Sequence, residues 1–503
     1  MLNINKKNKT KNKAFEFLTI FSMAFGIVVG SGIYIKNRNE EGGVLDAANN
    51  NPYLAIIIWI FIGVVCTMMI ISYVEISSAI KKDEHNTTLS WSAKFISRRS
   101  ASVIAIFYIS FYMPILASLG AIFTVSVFFD YGLNNFLQAM GKNTISETLT
   151  TAEYTALKVV LSSIILIGFQ ILNMFTQKPG RYIQTICTFI KFIPLIVVLI
   201  GGFVVFFTNN VVDASGNPDS TNSFENSTNK WEFWSFFATI VPIVFAFDGF
   251  IHAVTLQKDV ENKKVVTPAL FVGIISISVF YLLITIAIFI GGNDGNIFKL
   301  LNTIFIKVPI LSFISKILIA FTVATLSNGY TTLIPKTIES ASHEGFLYFG
   351  KNAKNISKRK ASIISIIITL IIFYSTIIIS LLITPLRDTN EINYAFISET
   401  ISTSTVIFAF IVYYSLILAM VINRKTNKVK VNKIKGGLTI GIINIVILSL
   451  FMPYVYFEYL IRPFITHNKD AMICAAGSFA IIAIIAIYYG VNEFYLKRQK
   501  KLS

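Results

Sequence analysis

The chain has 503 residues, 54% of them hydrophobic and only 14% charged, and its mean hydropathy of +0.68 excludes an ordinary soluble domain and marks a polytopic membrane protein. The net charge of +17 would suit a nucleic-acid partner, but the lysines and arginines fall in short clusters between apolar runs. That is the pattern of membrane orientation, and no nucleic acid is needed to explain it.

The N-terminus carries five lysines before the first apolar run. That run resembles a signal peptide, but it is long and lacks an Ala-x-Ala-like cleavage site, so it reads as a spanning helix. Near its far end lies Gly26-Ile27-Val28-Val29-Gly30-Ser31-Gly32-Ile33, with three glycines in seven residues. Each costs about 1 kcal/mol of helix stability relative to alanine. Two readings stand: a break whose freed Gly30, Ser31 and Gly32 amides point at an anion, or a packing face, Gly26-x-x-x-Gly30.

Runs of about 20 residues, enough to span a bilayer, are expected near 15–35, 53–76, 101–129, 156–176, 182–207 and 235–255. Six more are expected near 267–291, 308–334, 361–384, 394–421, 437–460 and 471–494. With both ends in the cytoplasm, the inner segments hold 31 Lys/Arg and the outer segments 9, an imbalance that sets this topology. The polar stretch Thr208 to Trp231 reads as a flexible outer loop. The inner segment Lys81 to Arg99, with Trp91 and Phe95 among basic residues, suits either a short surface helix or an ordinary connector. Cys66, Cys187 and Cys474 lie in apolar runs without metal-ligand spacing, so they indicate neither a disulfide framework nor a metal site.

Helix 5 carries Lys191, about nine residues and roughly 13 Å from its inner end, away from both glycine breaks. Such a lysine serves as a fixed internal cation or a titrating group, unless a tilted helix lets it reach the interface. Helix 6 is interrupted at Phe245-Ala246-Phe247-Asp248-Gly249-Phe250, about 13 residues from its start against about 15 in helix 1. Five helices separate the two interruptions, so they cross in opposite senses. Paired interruptions in inverted halves point to a transporter's central site, which favours the break in helix 1. Asp248, an intramembrane carboxylate, is a candidate functional group. Glu75, Glu339, Lys316 and His252 receive no functional role.

These residues carry a family resemblance. Gly30-Ser31-Gly32-Ile33 after Gly26 resembles the helix 1 signature of amino acid permeases of the amino acid, polyamine and organocation superfamily. The Phe245 to Phe250 segment resembles that family's helix 6 break, and Asp259 to Ala269 resembles its following inner segment. Ser340 to Leu347 is a looser match to an Ala-Arg-Asp-Gly-like motif and departs from it at His343. The resemblance implies an all-α polytopic membrane protein with a LeuT-like five-plus-five inverted repeat and 12 transmembrane helices, of which 1 and 6 are discontinuous. It divides the chain into a basic tail (1–14), a first repeat (15–207), an outer polar loop (208–234), a second repeat (235–421) and helices 11–12 with a basic tail (422–503).

Carried over residue by residue, the resemblance gives the substrate's α-carboxylate to the Ser31, Gly32 and Ile33 amides and the Ser31 hydroxyl, beside Gly30. It gives the α-ammonium to the carbonyls of Val28, Phe245, Ala246 and Asp248, beside Gly249. Donors then meet an acceptor-only group, and acceptors a donor-only one. Phe245 falls where the family places an aromatic gate. Lys191 matches a helix 5 lysine that stands in some relatives for the cation of a sodium site. The Asp248 side chain is not general in the family.

The expectation is a secondary transporter that moves an amino acid across the cytoplasmic membrane, with protons or by exchange, and uses no cofactor or metal. Polyamine transport is the runner-up, because Asp248 suits a cationic amine. A nutrient receptor is a further alternative, disfavoured by tails of about 14 and 9 residues. An enzyme is not expected, since the sequence has no His cluster, no Ser/Lys or Ser/His arrangement and no paired aspartates at helical spacing.

Overall fold

In hydrocarbon every backbone polar group must be bonded within the protein, so uninterrupted apolar runs become helices. The computed structural model describes residues 16–18, 20–21, 25, 28–38, 42–81, 84–175, 183, 186–187, 189–208, 222–225, 227, 230–255, 265–350, 356–387 and 392–502, and no strand occurs among them. In chain order the main helices are α1 (Ser31–Ile35), α2 (Pro52–Ser77), α3 (Thr88–Phe95), α4 (Arg98–Ala139), α5 (Thr151–Phe175), α6 (Phe192–Thr208) and α7 (Phe233–Phe247). They continue with α8 (Phe250–Val254), α9 (Val266–Gly291), α10 (Pro309–His343), α11 (Lys358–Ile383), α12 (Phe396–Thr426), α13 (Gly437–Tyr456) and α14 (Lys469–Leu502).

Counting α7 with α8, ten helical stretches among the described residues are long and apolar enough to cross a membrane. They fall on ten of the twelve expected runs; the first and fifth runs are described only in part. Helix starts follow local chemistry. Asn51 precedes α2 and accepts from the Leu54 amide at 3.1 Å, with Pro52 at the first helical position. Ser97 caps α4 in the same way. Inside α4, Pro114 has no N–H to give the carbonyl of Ser110, and the preceding residues Tyr108–Tyr112 widen into π-helical geometry.

The helices alternate in direction. One face of the bundle, here the distal face, carries Asn49 against Glu232 (3.1 Å) and the starts of α2, α7 and α12. The opposite, proximal face carries Arg98 paired with Glu493 (3.0 Å) and Glu75 paired with Arg424. α10 runs along α4, α2 along α9, and α9 along α6. The α4 and α7–α8 spans are the most enclosed, with 89% and 78% of their core positions buried, against 17% for α14. The interrupted helix therefore sits at the centre of the bundle, with lipid-facing helices around it.

Several sequence expectations change. The Lys81 to Arg99 segment does form a short helix, α3, but Trp91 is fully buried, donates to Asn86 Oδ1 at 2.7 Å and packs 5.8 Å from Tyr73. Its indole faces protein and not a membrane surface. Lys316 finds Asn302 Oδ1 at 2.5 Å, and Lys158 pairs with Asp130 at 3.1 Å. Cys474 is half-buried and donates to Thr400. Of the Thr208 to Trp231 loop, 209–221 lie outside the described residues, as do 256–264 of the segment after helix 6.

Glu75 is 1% exposed, and one of its oxygens takes both Arg424 and the Ile434 amide (3.0 Å). Removing a partner from a buried ion pair strands the other charge, at a cost of about 3–5 kcal/mol. Glu75→Ala is therefore expected to lower the melting temperature of the detergent-solubilised protein, followed by tryptophan fluorescence, and Glu75→Gln to lower it less. Equal melting temperatures for Glu75→Ala and wild type would contradict this account of the pair.

Candidate functional site: two helix breaks in contact

Helical geometry is lost at Val29 and Gly30 and resumes at Ser31. Gly30 (φ −124°, ψ −146°) precedes α1, and no side chain caps the helix. The amides of Ser31, Gly32 and Ile33 therefore belong to a first turn that has no intrahelical acceptors. Gly26, Ile27 and the side chain of Ser31 lie outside the described residues. In the sixth span, α7 ends at Phe247 and α8 starts at Phe250, with Asp248 and Gly249 forming a turn between them. Gly249 has φ +92°, in the region that disfavours any side chain.

The two breaks touch. A methyl placed on Gly32 would sit 2.4 Å from the Ala246 Cα, so the backbones meet at a distance only glycine allows. The Cβ of Gly30 would meet nothing closer than the Val28 carbonyl at 3.7 Å. The helix thus breaks at Gly30, which has open space at its Cβ; Gly26 of the alternative packing face lies outside the described residues, and the close-packed glycine is Gly32. Its partner is the other break and not an unbroken helix. The Tyr281 hydroxyl on α9 bridges them, donating toward the Val28 carbonyl (2.9 Å) and the Ala246 carbonyl (3.3 Å). Phe247, Trp59 and Tyr281 pack ring against ring at 5.4–5.8 Å. Trp59 also donates to Asn37 Oδ1 (3.2 Å), and Asn37 donates to Thr285 (3.0 Å), which holds the chain just beyond α1.

A charge lies at each break. Lys191, placed by the sequence away from both, is 1% exposed and donates from Nζ to the Val29 carbonyl at 2.6 Å. Its own carbonyl accepts from Tyr34 Oη at 2.8 Å, which clamps the fifth span to α1. Asp248 is half-buried. Both its oxygens accept from Tyr112 (2.8 and 2.7 Å), and one also accepts from Tyr330 (3.2 Å).

Of the carbonyls expected at the site, those of Val28 and Ala246 share Tyr281, and that of Phe245 accepts from the Asp248 amide at 3.1 Å. Each keeps a second lone pair. Tyr112, Tyr281 and Tyr330 are passed over by the sequence reading, although a phenol in an apolar run must find a partner; that requirement is the signal that finds them. Phe245, buried at the level of the contact, has the Lys36 ammonium 4.9 Å from its ring centre. A cavity of about 840 Å³ opens from the distal face toward this pair, with Lys36, Val241 and Pro242 in its wall.

Paired helix interruptions joined inside an all-helical bundle define the LeuT-like transporter fold. MhsT, solved in complex with L-phenylalanine, superposes with a TM-score of 0.59 over 87% of this chain and 98% of its own, at 14% identity. The amino acid permease family model matches residues 15–488. The chain belongs to the amino acid permease family and is a multi-pass membrane transporter. It is also similar to an uncharacterized protein of Mycoplasma pneumoniae (strain ATCC 29342 / M129 / Subtype 1), at 23% identity over 464 residues, covering 84% of this chain and 80% of that one.

The contact between breaks separates the two glycines experimentally. Overpacking costs about 1–3 kcal/mol, so Gly32→Ala is expected to lower both thermal stability and transport, while Gly30→Ala, with open space at its Cβ, is tolerated sterically. The check is radiolabelled uptake and melting temperature at matched expression. Equal behaviour of the two variants would mean that Gly32 and Ala246 are not in contact.

Proposed function

We propose that this permease is a secondary active transporter that moves an amino acid across the cytoplasmic membrane by alternating access, with proton coupling or amino acid exchange. The observation that carries the reading is the contact between breaks, in which the start of α1, whose amides no side chain caps, packs against Ala246 of the sixth span. In this reading the amides of Ser31, Gly32 and Ile33 hold the α-carboxylate. The carbonyls of Val28, Phe245, Ala246 and Asp248 hold the α-ammonium, with Gly30 beside the amides and Gly249 permitting the turn of the sixth span. Phe245, with Lys36 of the cavity wall over its ring, serves as the gate. The distal face is the outer one and both termini are cytoplasmic, as the distribution of Lys and Arg favours. The amino acid bound in the MhsT structure supports the same substrate class.

Substrates are accordingly expected to need both a free α-carboxylate and a free α-ammonium. In reconstituted liposomes, with and without a pH gradient and with internal amino acid, amino acid methyl esters and decarboxylated amines should fail to compete with the parent compounds. Amines that compete as well as the parents would replace this reading with polyamine transport.

Lys191 acts on coupling in this reading. Its ammonium occupies the Val29 carbonyl at the first break and steadies an unwound backbone that sodium-dependent relatives hold with an ion. Lys191→Ala is expected to slow net or gradient-driven uptake more than it weakens equilibrium substrate binding. Altered pH dependence of flux would identify a proton role, and a loss of rate at every pH a fixed cation. Wild-type flux and affinity in this variant would remove Lys191 from the mechanism.

A further inference from the structure

The sixth-span break holds a charge that the fold does not balance. Asp248 accepts three hydroxyl contacts from Tyr112 and Tyr330, yet among the described residues no Lys, Arg or His side chain forms an ion pair with it. A carboxylate at this depth calls for a positive partner. Hydroxyl donors on both oxygens are the arrangement that serves the anion.

Three further polar atoms surround it. The hydroxyls of Tyr108 and Tyr413 lie close to one another, and that of Tyr413 close to the Asp248 carboxylate, while Nε2 of His252 is buried with no hydrogen-bond partner among the described residues. Tyr108 stacks on Tyr112 with ring centres 5.0 Å apart, His252 lies 6.2 Å from Tyr330, and Tyr413 lies 5.8 Å from Phe250, two residues beyond Asp248. A buried polar atom left unpaired costs about 1–3 kcal/mol, so His252 Nε2 leaves this cluster incomplete. A cation with several N–H donors suits it: His252 Nε2 and the phenol oxygens can each accept, the carboxylate supplies the counter-charge, and aromatic faces attract cations. A proton on Asp248 would neutralise the charge but leave His252 Nε2 unanswered.

We propose that this tyrosine cluster at the sixth-span break receives the cationic side chain, ammonium or guanidinium, of the transported amino acid, with Asp248 as its counter-ion. The proposal rests on the amino acid reading above and deepens it. The reach is suitable: Ala246 lies against Gly32 at the substrate backbone, and two residues of chain carry Asp248 no more than about 7 Å from there. That distance is comparable to the length of a lysine side chain.

The test uses the full-length protein in liposomes, comparing radiolabelled lysine and arginine with their uncharged near-isosteres norleucine and citrulline. Wild type is expected to prefer each cationic member by at least about tenfold, as a site with buried groups awaiting a donor rejects the analogue that lacks it. In Asp248→Asn the lysine-to-norleucine ratio should fall toward one, and in Tyr112→Phe it should fall less. A wild-type preference for norleucine and citrulline overturns the proposal whether or not the variants fold, and leaves the amino acid reading standing. An Asp248→Asn protein that loses lysine and norleucine uptake equally, with a flattened response to the pH gradient, also overturns it and makes Asp248 a proton site. Cadaverine competing as well as lysine would instead sink the amino acid reading itself.

Discussion

Unwound backbone inside a bilayer persists only where other protein groups meet its amides and carbonyls. Here that service is concentrated on few atoms. One hydroxyl, that of Tyr281, reaches a carbonyl on each break, and one ammonium, that of Lys191, takes the carbonyl next to the first. Because α1 and α8 are each only five residues long, they have few internal hydrogen bonds and depend on external partners for their position, α1 through Tyr34 on the Lys191 carbonyl and α8 through Ser77 on the Val254 carbonyl. The interruption, the close approach at Gly32 and the choice of Tyr281 are thus one constraint seen from three sides.

The sequence makes the breaks legible because glycine has two separable signatures, helix instability and missing volume. At Gly249 the positive φ uses the first, and at Gly32 the contact with Ala246 uses the second. The sequence cannot say which applies at a given glycine, since both leave the same letter. The spans are legible because bilayer thickness fixes their length. The ten stretches found among the described residues, the interrupted α7–α8 span included, fall on expected runs, with some boundaries extended, as α10 runs on to His343.

What the sequence hides is lateral distance. Nothing in the run around Lys191 announces that its side chain crosses to the first span, or that Tyr112 and Tyr330, on α4 and α10, converge on Asp248. The convergence depends on a detail of α4: Pro114 removes one donor from the helix ladder, and the π-helical stretch just before it ends at Tyr112. Trp91 misleads in the opposite direction. Aromatic and basic residues together suggest a membrane surface, but the indole is satisfied by Asn86 inside the protein. Composition describes the segment and not the side it presents.

The two charges at the breaks are solved differently, and the difference carries meaning. Lys191 is nearly fully enclosed and its ammonium sits on a carbonyl at 2.6 Å, a geometry that a fixed cation can keep through many cycles. Asp248 is half-buried and surrounded by phenols, not by a cation. In a medium where a bare charge costs several kcal/mol, a carboxylate left without a counter-ion gains from any cation that reaches it, whereas a satisfied ammonium does not gain from an anion. One break therefore holds its charge as part of the scaffold. The other leaves its carboxylate without a cation among the described residues, the difference on which the proposed discrimination between substrates of different side-chain charge rests.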